Sequence, residues 1–418
     1  MFRVILILLL WLVSWHAWGA DASPSDASSN QRFLDWFWER PLSELGTVHI
    51  SSDLLNHSPL MPETCGLCHP QYTDWIGSRH AQAMGPGAIG QFFHMSREEI
   101  QACLDCHAPL SEQSDSLIRY LENAQWSEST DYPASVHTEN NQLHQRGVTC
   151  AVCHIREDRW YGPPRRGEPL PAETMAKFPH GGWIPRDAFQ DSRFCAACHQ
   201  FPPDGFSLNG KLIENTYEEW RVSPQAHRGM SCQTCHMPDR RHLFQGIHDP
   251  ETVRAGVDVG SKSFSISKGH VTVLVFLTNT GVGHRLPTYV TPEIRLEAYQ
   301  QDTNGDRIPG TGQVEWIARK VNIDLTREHF DTRLSPGQTA TLAYQKPLSP
   351  HANMLVTRVY VAPDAFYTRI YEALLDIELD GKGAVLIRKA LMESKTSGFS
   401  IYEKNYPIKK NTRIDPPE

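Results

Sequence analysis

The sequence predicts a multidomain protein in which a module of helix and coil is followed by an all-β, sandwich-like domain. The chain has 418 residues, more than one hydrophobic core usually organises. All 10 cysteines lie between Cys65 and Cys235, so the two halves differ in composition. After about residue 260, alternating and β-branched runs replace the cysteines and predict strands.

The first 20 residues have the features of a secretory signal peptide. Arg3 precedes an apolar run from Val4 to Val13, and small residues at Gly19 and Ala20 suit cleavage. An uncleaved anchor is the alternative, but the run is shorter than the ~20 apolar residues of a membrane-spanning helix. No later stretch is apolar enough to span. We therefore expect a periplasmic or extracellular protein with no transmembrane span in the mature chain.

Residues 21–60 are expected to form a flexible N-terminus and a short helix. The first part, DASPSDASSNQR, is small and polar. The next part places aromatic rings at Phe33, Trp36, Phe37 and Trp38. These rings are either a surface for a membrane or partner, or the inner face of a helix folded against the next module; the second interpretation is favoured.

The cysteines form five C-x-x-C pairs, and a histidine follows each pair directly. The motifs are Cys65, Cys68 and His69; Cys103, Cys106 and His107; Cys150, Cys153 and His154; Cys195, Cys198 and His199; and Cys232, Cys235 and His236. This is the attachment signature of c-type haem. The two thiols bind the two vinyl groups of one porphyrin, and the histidine becomes the proximal iron ligand.

Two other uses of paired cysteines were weighed. A secreted chain with 10 cysteines could form five disulfides, and paired C-x-x-C units could bind zinc. Neither use requires a histidine after every second cysteine. The sequence therefore predicts five covalently attached haem c groups.

Residues 61–255 are expected to form the pentahaem cytochrome module. Its motifs recur every 37 to 47 residues, which leaves too little chain for a conventional core around each haem. The haems are therefore expected to serve as the core. Ser96 with Glu99, and Thr216 with Glu219, have the spacing of capping boxes ahead of the second and fifth motifs.

Residues 256–418 are expected to form the β-sandwich-like domain, ending in a helical or coil tail. Helices are predicted over residues 363–375 and 384–394. The sequence DTNGD places Asp302, Asn304 and Asp306 at alternate positions, as in a calcium loop. Glu315 lies too far along the chain for that pattern, so a hairpin turn on Asn304 and Gly305 is preferred.

Several stretches carry a resemblance to a known group. They are CGLCHPQYTDWIGSRHAQAM, GVTCAVCH, FCAACHQF and TYEEWRVSPQAHRGMSCQTCHMPDRRHLFQGIHDP, within residues 60–250, and GVGHRLPT in the β-domain. The sequence resembles the multihaem cytochromes c grouped with the hydroxylamine-oxidoreductase electron acceptor and the pentahaem nitrite reductases. The resemblance is specific for the haem module and not for one activity.

The resemblance also implies distal iron ligands. The candidates are His80, His180, His242, His248 and His284. The reserves are His227, His144, His137 and His94. Met237 directly follows a proximal histidine and cannot reach the opposite haem face, and Met84 and Met95 are equally well explained as packing residues. For His284, we predict that it crosses from the β-domain to ligate a haem of the module.

The distal ligands decide the expected function, because a six-coordinate iron suits electron transfer and an open iron binds substrates. The leading hypothesis is an electron carrier between redox partner proteins, with no catalytic residue assigned. The alternative is an oxidoreductase of nitrogen or sulfur compounds with one open haem. The resemblance weakens this alternative, because the nitrite reductases usually bind their catalytic haem through a motif ending in lysine, and no tyrosine can be assigned the haem cross-link of the hydroxylamine-oxidising relatives.

The remaining partner expectations follow from charge and domain organisation. The net charge of −8 argues against a nucleic-acid partner. The β-domain could dock the carrier on a partner or on other copies of the chain, so self-assembly is possible.

Overall fold

The computed structural model describes residues 24–40, 42, 60–126, 139–377 and 381–408. The predicted signal peptide, residues 43–59, His137 and the last residues of the chain lie outside this range. Over the described residues, no helix combines the length and apolarity needed to cross a membrane.

The first part of the chain consists of short helices joined by loops and a few very short strands. The helices are α1 (Pro24–Phe37), α2 (Pro62–Gly66), α3 (Gln71–Ile76), α4 (Pro86–Phe92), α5 (Arg97–His107), α6 (Ser111–Trp126), α7 (Cys150–His154), α8 (Ala172–Met175), α9 (Arg193–His199), α10 (Thr216–Arg221), α11 (Pro224–His227), α12 (Cys232–His236) and α13 (Pro250–Gly256). The strands are β1 (Ile155–Arg156), β2 (Arg159–Gly162), β3 (Ile184–Pro185), β4 (Ser207–Leu208) and β5 (Lys211–Leu212). Short 3₁₀-helices cover Glu139–Gln145, Asp187–Gln190 and Pro238–Arg240.

The two predicted capping boxes have different outcomes. Ser96 caps α5 as predicted, since its side chain accepts from the Glu99 amide and the Glu99 carboxylate accepts from the Ser96 amide. The prediction for Thr216 and Glu219 was wrong: α10 begins at Thr216 without a side-chain cap. The Glu219 carboxylate instead accepts from the Arg285 amide at 3.1 Å and from Arg333 at 3.2 Å, because this carboxylate faces the β-domain.

Helix α1 packs its aromatic side chains against the module. Phe37 is fully buried, and its ring lies 5.8 Å from that of Tyr161 and 5.7 Å from that of Phe194. The buried Arg156 guanidinium stacks on Phe37, with its carbon 3.8 Å from the ring centroid, and donates to the Phe37 carbonyl at 2.6 Å. The helix thus covers the module, as the favoured interpretation of the aromatic segment expected.

The second part of the chain is built mainly from antiparallel strands. They are β6 (Val257–Ser267), β7 (His270–Asn279), β8 (Glu293–Gln301), β9 (Gln313–Ile317), β10 (Arg319–Val321), β11 (Glu328–Asp331), β12 (Thr339–Pro347), β13 (Met354–Ala362) and β14 (Phe399–Pro407). One sheet has the order β12-β7-β6, a second has the order β14-β13-β8-β9, and β10 pairs with β11.

The two larger sheets bury their side chains in one shared core. On β7, Val271, Val273, Val275 and Leu277 alternate with more exposed residues and are at most 3% exposed. The same cluster includes buried residues of β8, β12, β13 and β14. Strand periodicity in the sequence correctly located this core, since alternate residues of a strand face one side of a sheet.

The turn after β8 is the hairpin that the sequence favoured over a calcium loop. The Asp302 carboxylate accepts from the amides of Asn304 and Asp306, both at 2.9 Å. Gly305 has a φ of 87°, a conformation that glycine adopts without strain.

Two helices precede the last strand, α14 (Ala365–Asp376) and α15 (Gly381–Thr396). Both were predicted from the sequence. The tail differs from the expected helix or coil, because β14 pairs along its length with β13 and forms an edge of the four-stranded sheet. Helix α15 packs on α4 of the module, where a Cβ added to Gly90 would lie 2.8 Å from the Ile387 side chain.

A buried charged contact also joins the two parts of the chain. The Arg319 side chain is fully buried and pairs with Glu328 at 2.9 Å. Its other nitrogens donate to the backbone carbonyls of Leu208, Lys211 and Leu212 at 2.6 to 2.9 Å. The β4–β5 hairpin of the module is therefore anchored to β10 and β11.

Candidate haem sites

The attachment motifs share one local structure. In four of the five, a helix ends at the histidine, so that cysteines and imidazole project from one turn. All 10 cysteines lie in the described residues and none forms a disulfide. Among the described residues, no group of three or more His, Cys, Asp or Glu side chains is placed to hold one metal ion.

Hydrogen bonds orient four of the proximal imidazoles. Nδ1 of His107 donates to the Ala83 carbonyl at 2.8 Å, that of His154 to the Tyr161 carbonyl at 2.8 Å, and that of His236 to the Gln245 carbonyl at 2.7 Å. Nδ1 of His199 donates to the Tyr289 hydroxyl at 2.7 Å. Such partners fix the tautomer and leave Nε2 free for a metal.

Four proximal histidines each face one of the candidate distal histidines. The ring centroids are 6.1 Å apart for His69 and His180, 6.2 Å for His199 and His80, 6.1 Å for His154 and His242, and 6.4 Å for His236 and His284. Since a metal–imidazole bond is about 2 Å long, two imidazoles on opposite faces of one iron have centroids roughly 6 Å apart. Each gap therefore has the length that two imidazoles bound to one iron require.

The pairing combines distant parts of the sequence. His80 follows the first motif but faces His199 of the fourth, and His180 precedes the fourth motif but faces His69 of the first. The sequence indicated which histidines were candidate distal ligands. It did not indicate which proximal histidine each of them faces, because the paths of the intervening loops determine this pairing.

The distal rings are also held by local hydrogen bonds. Nδ1 donates to the Gly182 carbonyl at 2.8 Å in His180, to the Arg240 carbonyl at 3.1 Å in His242, and to the Arg285 carbonyl at 2.9 Å in His284. In these three histidines, Nε2 is again left free to bind an iron.

Burial favours the neutral form that binds iron in four of the paired imidazoles. It lowers the pKa of His80 to about 3 and the pKa values of His154, His199 and His284 to about 4. Desolvation disfavours the imidazolium in each case.

His284 is the distal candidate supplied by the β-domain. It lies between β7 and β8, and its carbonyl accepts from the Asn279 side chain at 3.1 Å. Asn279 is itself fully buried at the end of β7. The ring is nearly parallel to that of His236, with 13° between the planes, so the loop extends a rigid imidazole towards the fifth motif.

The second motif has a different environment. In the described part of the chain, no histidine ring stands opposite His107 at the distance seen in the four pairs. The fifth distal candidate, His248, hydrogen bonds through Nε2 to Asp364 at 2.9 Å. Asp364 also lies 3.8 Å from the Arg79 guanidinium.

The reserve histidines do not form such pairs either. His144 is buried, contacts Ser116 through Nδ1 at 2.9 Å, and lies 4.9 Å from the Tyr120 ring. His94 and His227 are exposed, and His137 lies outside the described residues.

Cysteines of different motifs contact each other. The thiols of Cys65 and Cys150, of Cys106 and Cys198, and of Cys195 and Cys232 lie close enough to shift each other's pKa. If each sulfur is attached to a porphyrin edge, this proximity would bring the edges of neighbouring cofactors together. The fourth motif takes part in two of the three contacts, so it lies at the centre of the cluster.

Comparison with known proteins finds a family match over the part of the chain that holds the attachment motifs. Residues 63–249 match the family described as outer membrane cytochrome MtrC/MtrF-like, domains II/IV. No curated protein matches the chain.

Among solved structures, the fold is similar to that of a penta-heme cytochrome c552 from Thermochromatium tepidum. The two have 18% sequence identity and a TM-score of 0.56, over 86% of this chain and 99% of the other. Together with five attachment motifs and four facing histidine pairs, these matches identify the chain as a multihaem cytochrome that carries covalently bound haem c and transfers electrons.

Proposed function

We propose that four of five haems are ligated by two histidines and that the fifth haem, attached at Cys103 and Cys106, keeps an open sixth position. One observation carries the proposal: four proximal histidines have a facing imidazole at 6.1 to 6.4 Å, and His107 has none among the described residues. Bis-histidine centres suit electron transfer, and an open iron binds small ligands.

The cysteine contacts support an electron path to that open haem. The Cys65–Cys150 contact connects the first and third motifs, and the Cys106–Cys198 contact connects the second and fourth. The fourth motif also contacts the fifth through Cys195 and Cys232. Electrons entering at the fifth motif would reach the haem at Cys103 and Cys106 through the fourth motif.

A second candidate function is favoured by the groups near this haem. Tyr367 lies near Cys103, and burial raises the pKa of the tyrosine. Tyr367 stacks on Tyr371 with ring centroids 6.0 Å apart, and His248 and Asp364 are paired at the start of the same helix. Such groups could move protons for an oxidoreductase of small nitrogen or sulfur compounds, consistent with the resemblance to the nitrite-reductase group.

The remaining parts of the proposal concern location and partners. We propose a periplasmic or extracellular protein that exchanges electrons with separate donor and acceptor proteins. The shared core of the two larger sheets supports a β-sandwich, and His284 would make this domain part of one redox centre.

Carbon monoxide binding to the reduced protein tests the open haem. We expect one carbon monoxide per chain, and complete absence of binding would contradict the proposal. His248→Ala and His137→Ala are the matched variants, since either histidine could close the site by moving. A wild-type protein that binds none, together with a variant that binds one, would identify that histidine as the sixth ligand and support a pure carrier.

A further inference from the structure

A chain of polar contacts leads from one proximal histidine to a buried carboxyl group. Nδ1 of His199 donates to the Tyr289 hydroxyl at 2.7 Å. Tyr289 in turn lies next to Thr216, whose hydroxyl lowers the pKa of the tyrosine against the larger effect of burial. The Thr216 hydroxyl donates to Glu214 at 2.9 Å. Two hydrogen bonds and the contact between Tyr289 and Thr216 therefore connect the ligand of the fourth haem with Glu214.

Glu214 lacks the charge partner that a buried carboxylate usually has. No arginine or lysine forms an ion pair with it in the described part of the chain. Burial raises the pKa of Glu214 to about 8, and the hydrogen bond from Thr216 opposes this effect. Burial also raises the pKa of Tyr289, so that its hydroxyl stays protonated and continues the chain.

The neighbouring carboxylate, Glu219, is in a different state. It pairs with Arg333 at 3.2 Å and with Arg285 at 3.9 Å. These cations favour its ionised form and oppose the effect of burial. Of the two carboxyl groups in the network, Glu214 is therefore the one without local compensation for a negative charge.

The Thr216 hydroxyl can hydrogen bond to Glu214 in both protonation states of the carboxyl group. Its hydroxyl lies 2.9 Å from Glu214 and 2.8 Å from the Thr288 hydroxyl, which donates to Glu219 at 3.0 Å. With Glu214 ionised, Thr216 donates to Glu214. With Glu214 protonated, Glu214 donates to Thr216, and the Thr216 hydroxyl turns towards Thr288.

We propose that Glu214 binds a proton when the haem attached at Cys195 and Cys198 is reduced, and releases it on oxidation. One electron arrives at the iron from a neighbouring haem, and one proton from water binds the Glu214 carboxylate. Both leave again on oxidation, so the net charge of this region is the same in the two states. This coupling adds a proton-linked function to the electron transfer established above.

Electrostatics determines whether reduction of the haem raises or lowers the pKa of Glu214. An electron added at the iron makes the site more negative, and this favours the protonated form of Glu214. The titratable groups facing Glu214 are Glu219, Tyr289, Tyr367 and Cys198. Cys198 carries no charge once its sulfur is in the thioether bond, the two tyrosines have raised pKa values, and Glu219 is compensated by arginines.

Because reduction raises the pKa of Glu214, the midpoint potential should depend on pH only within a limited range. Below the pKa of Glu214 in the oxidised protein, the group is protonated in both redox states and the midpoint potential does not change with pH. Between this pKa, near 8, and the higher pKa of the reduced protein, the midpoint should fall by about 59 mV per pH unit. Above the higher pKa the potential is again constant.

The test is a redox titration from pH 6 to 10, approximately, with paramagnetic NMR resolving the individual haems. Glu214→Gln removes the titrating group at almost constant volume, and Tyr289→Phe breaks the chain but keeps the carboxyl group. Glu218→Gln is the matched control, because Glu218 pairs at 2.7 Å with Arg221 on the exposed side of the same segment. Haem content by mass spectrometry verifies that each variant is mature.

We expect one haem of the wild type and of Glu218→Gln to show the sloping region. The slope should disappear in Glu214→Gln and weaken in Tyr289→Phe. A wild type with no sloping region, or a slope that persists in Glu214→Gln, would overturn the proposal. So would a slope that is lost only in Glu219→Gln, since the proton would then belong to the other carboxyl group.

Discussion

Replacing His284 with alanine removes the side chain by which the β-domain faces His236 of the haem module. The rings of His236 and His284 are 6.4 Å apart and almost parallel. Two iron–nitrogen bonds of about 2 Å each span the gap between the facing nitrogens. The alanine methyl group ends well short of the iron, and no other described histidine stands opposite His236.

The expected effect of His284→Ala is a change in the number of haems per chain that bind an added ligand. All five attachment motifs remain intact in His284→Ala, so the haem content should stay at five. The number of haems that bind cyanide in the oxidised protein should rise from one to two, because the haem attached at Cys232 and Cys235 joins the haem at Cys103 and Cys106. Optical titration measures both the stoichiometry and the accompanying conversion of one low-spin haem to high spin.

His270→Ala is the matched control. His270 lies in the same domain, is exposed, and hydrogen bonds only to the nearby Lys268 carbonyl at 3.1 Å. This variant should bind as much cyanide as the wild type. An unchanged low-spin spectrum in His284→Ala, with no additional cyanide bound, would refute the assignment of His284 as an iron ligand.

Four further predictions concern maturation, redox range and stability. Mass spectrometry of the mature protein should find five covalent haems, and four or fewer in fully matured protein would contradict the motif assignment. Most midpoints should be negative, because histidine gives lower potentials than methionine as sixth ligand; an electrochemical titration with mostly positive midpoints would argue against the histidine pairs. Arg319→Met should lower the free energy of unfolding by about 3–5 kcal/mol in urea, since the buried Glu328 loses a partner, whereas the exposed Arg327→Met should change it by less than about 0.5 kcal/mol. Ser96→Ala should cost about 1 kcal/mol through loss of the α5 cap and speed hydrogen exchange at the Glu99 amide; unchanged exchange would show that the cap is dispensable.

Features governed by short stretches of sequence were predictable. The attachment motifs, the Ser96 cap, the hairpin at Asn304 and helix α14 each depend on residues close together in the chain. The alternation on β7 also suffices to identify a strand with one buried face. In each case local geometry and burial favour the same structure.

Features that depend on contacts between distant residues were not predictable in the same way. The motif around Glu219 has the spacing of a capping box, yet tertiary contacts with Arg285 and Arg333 take precedence over the local cap. His248 has the same kind of sequence context as the other distal candidates, and only the structure shows its Nε2 bonded to Asp364. The link from His199 through Tyr289 joins residues 90 positions apart, and no sequence pattern marks it.

Electron paramagnetic resonance of the oxidised protein, with magnetic circular dichroism of the same sample, tests the central claim most directly. Together they count the haems in each spin and ligation state. The four facing histidine pairs predict four low-spin bis-histidine haems and one high-spin haem per chain. Five low-spin haems, or two or more high-spin haems in fully matured protein, would contradict the account.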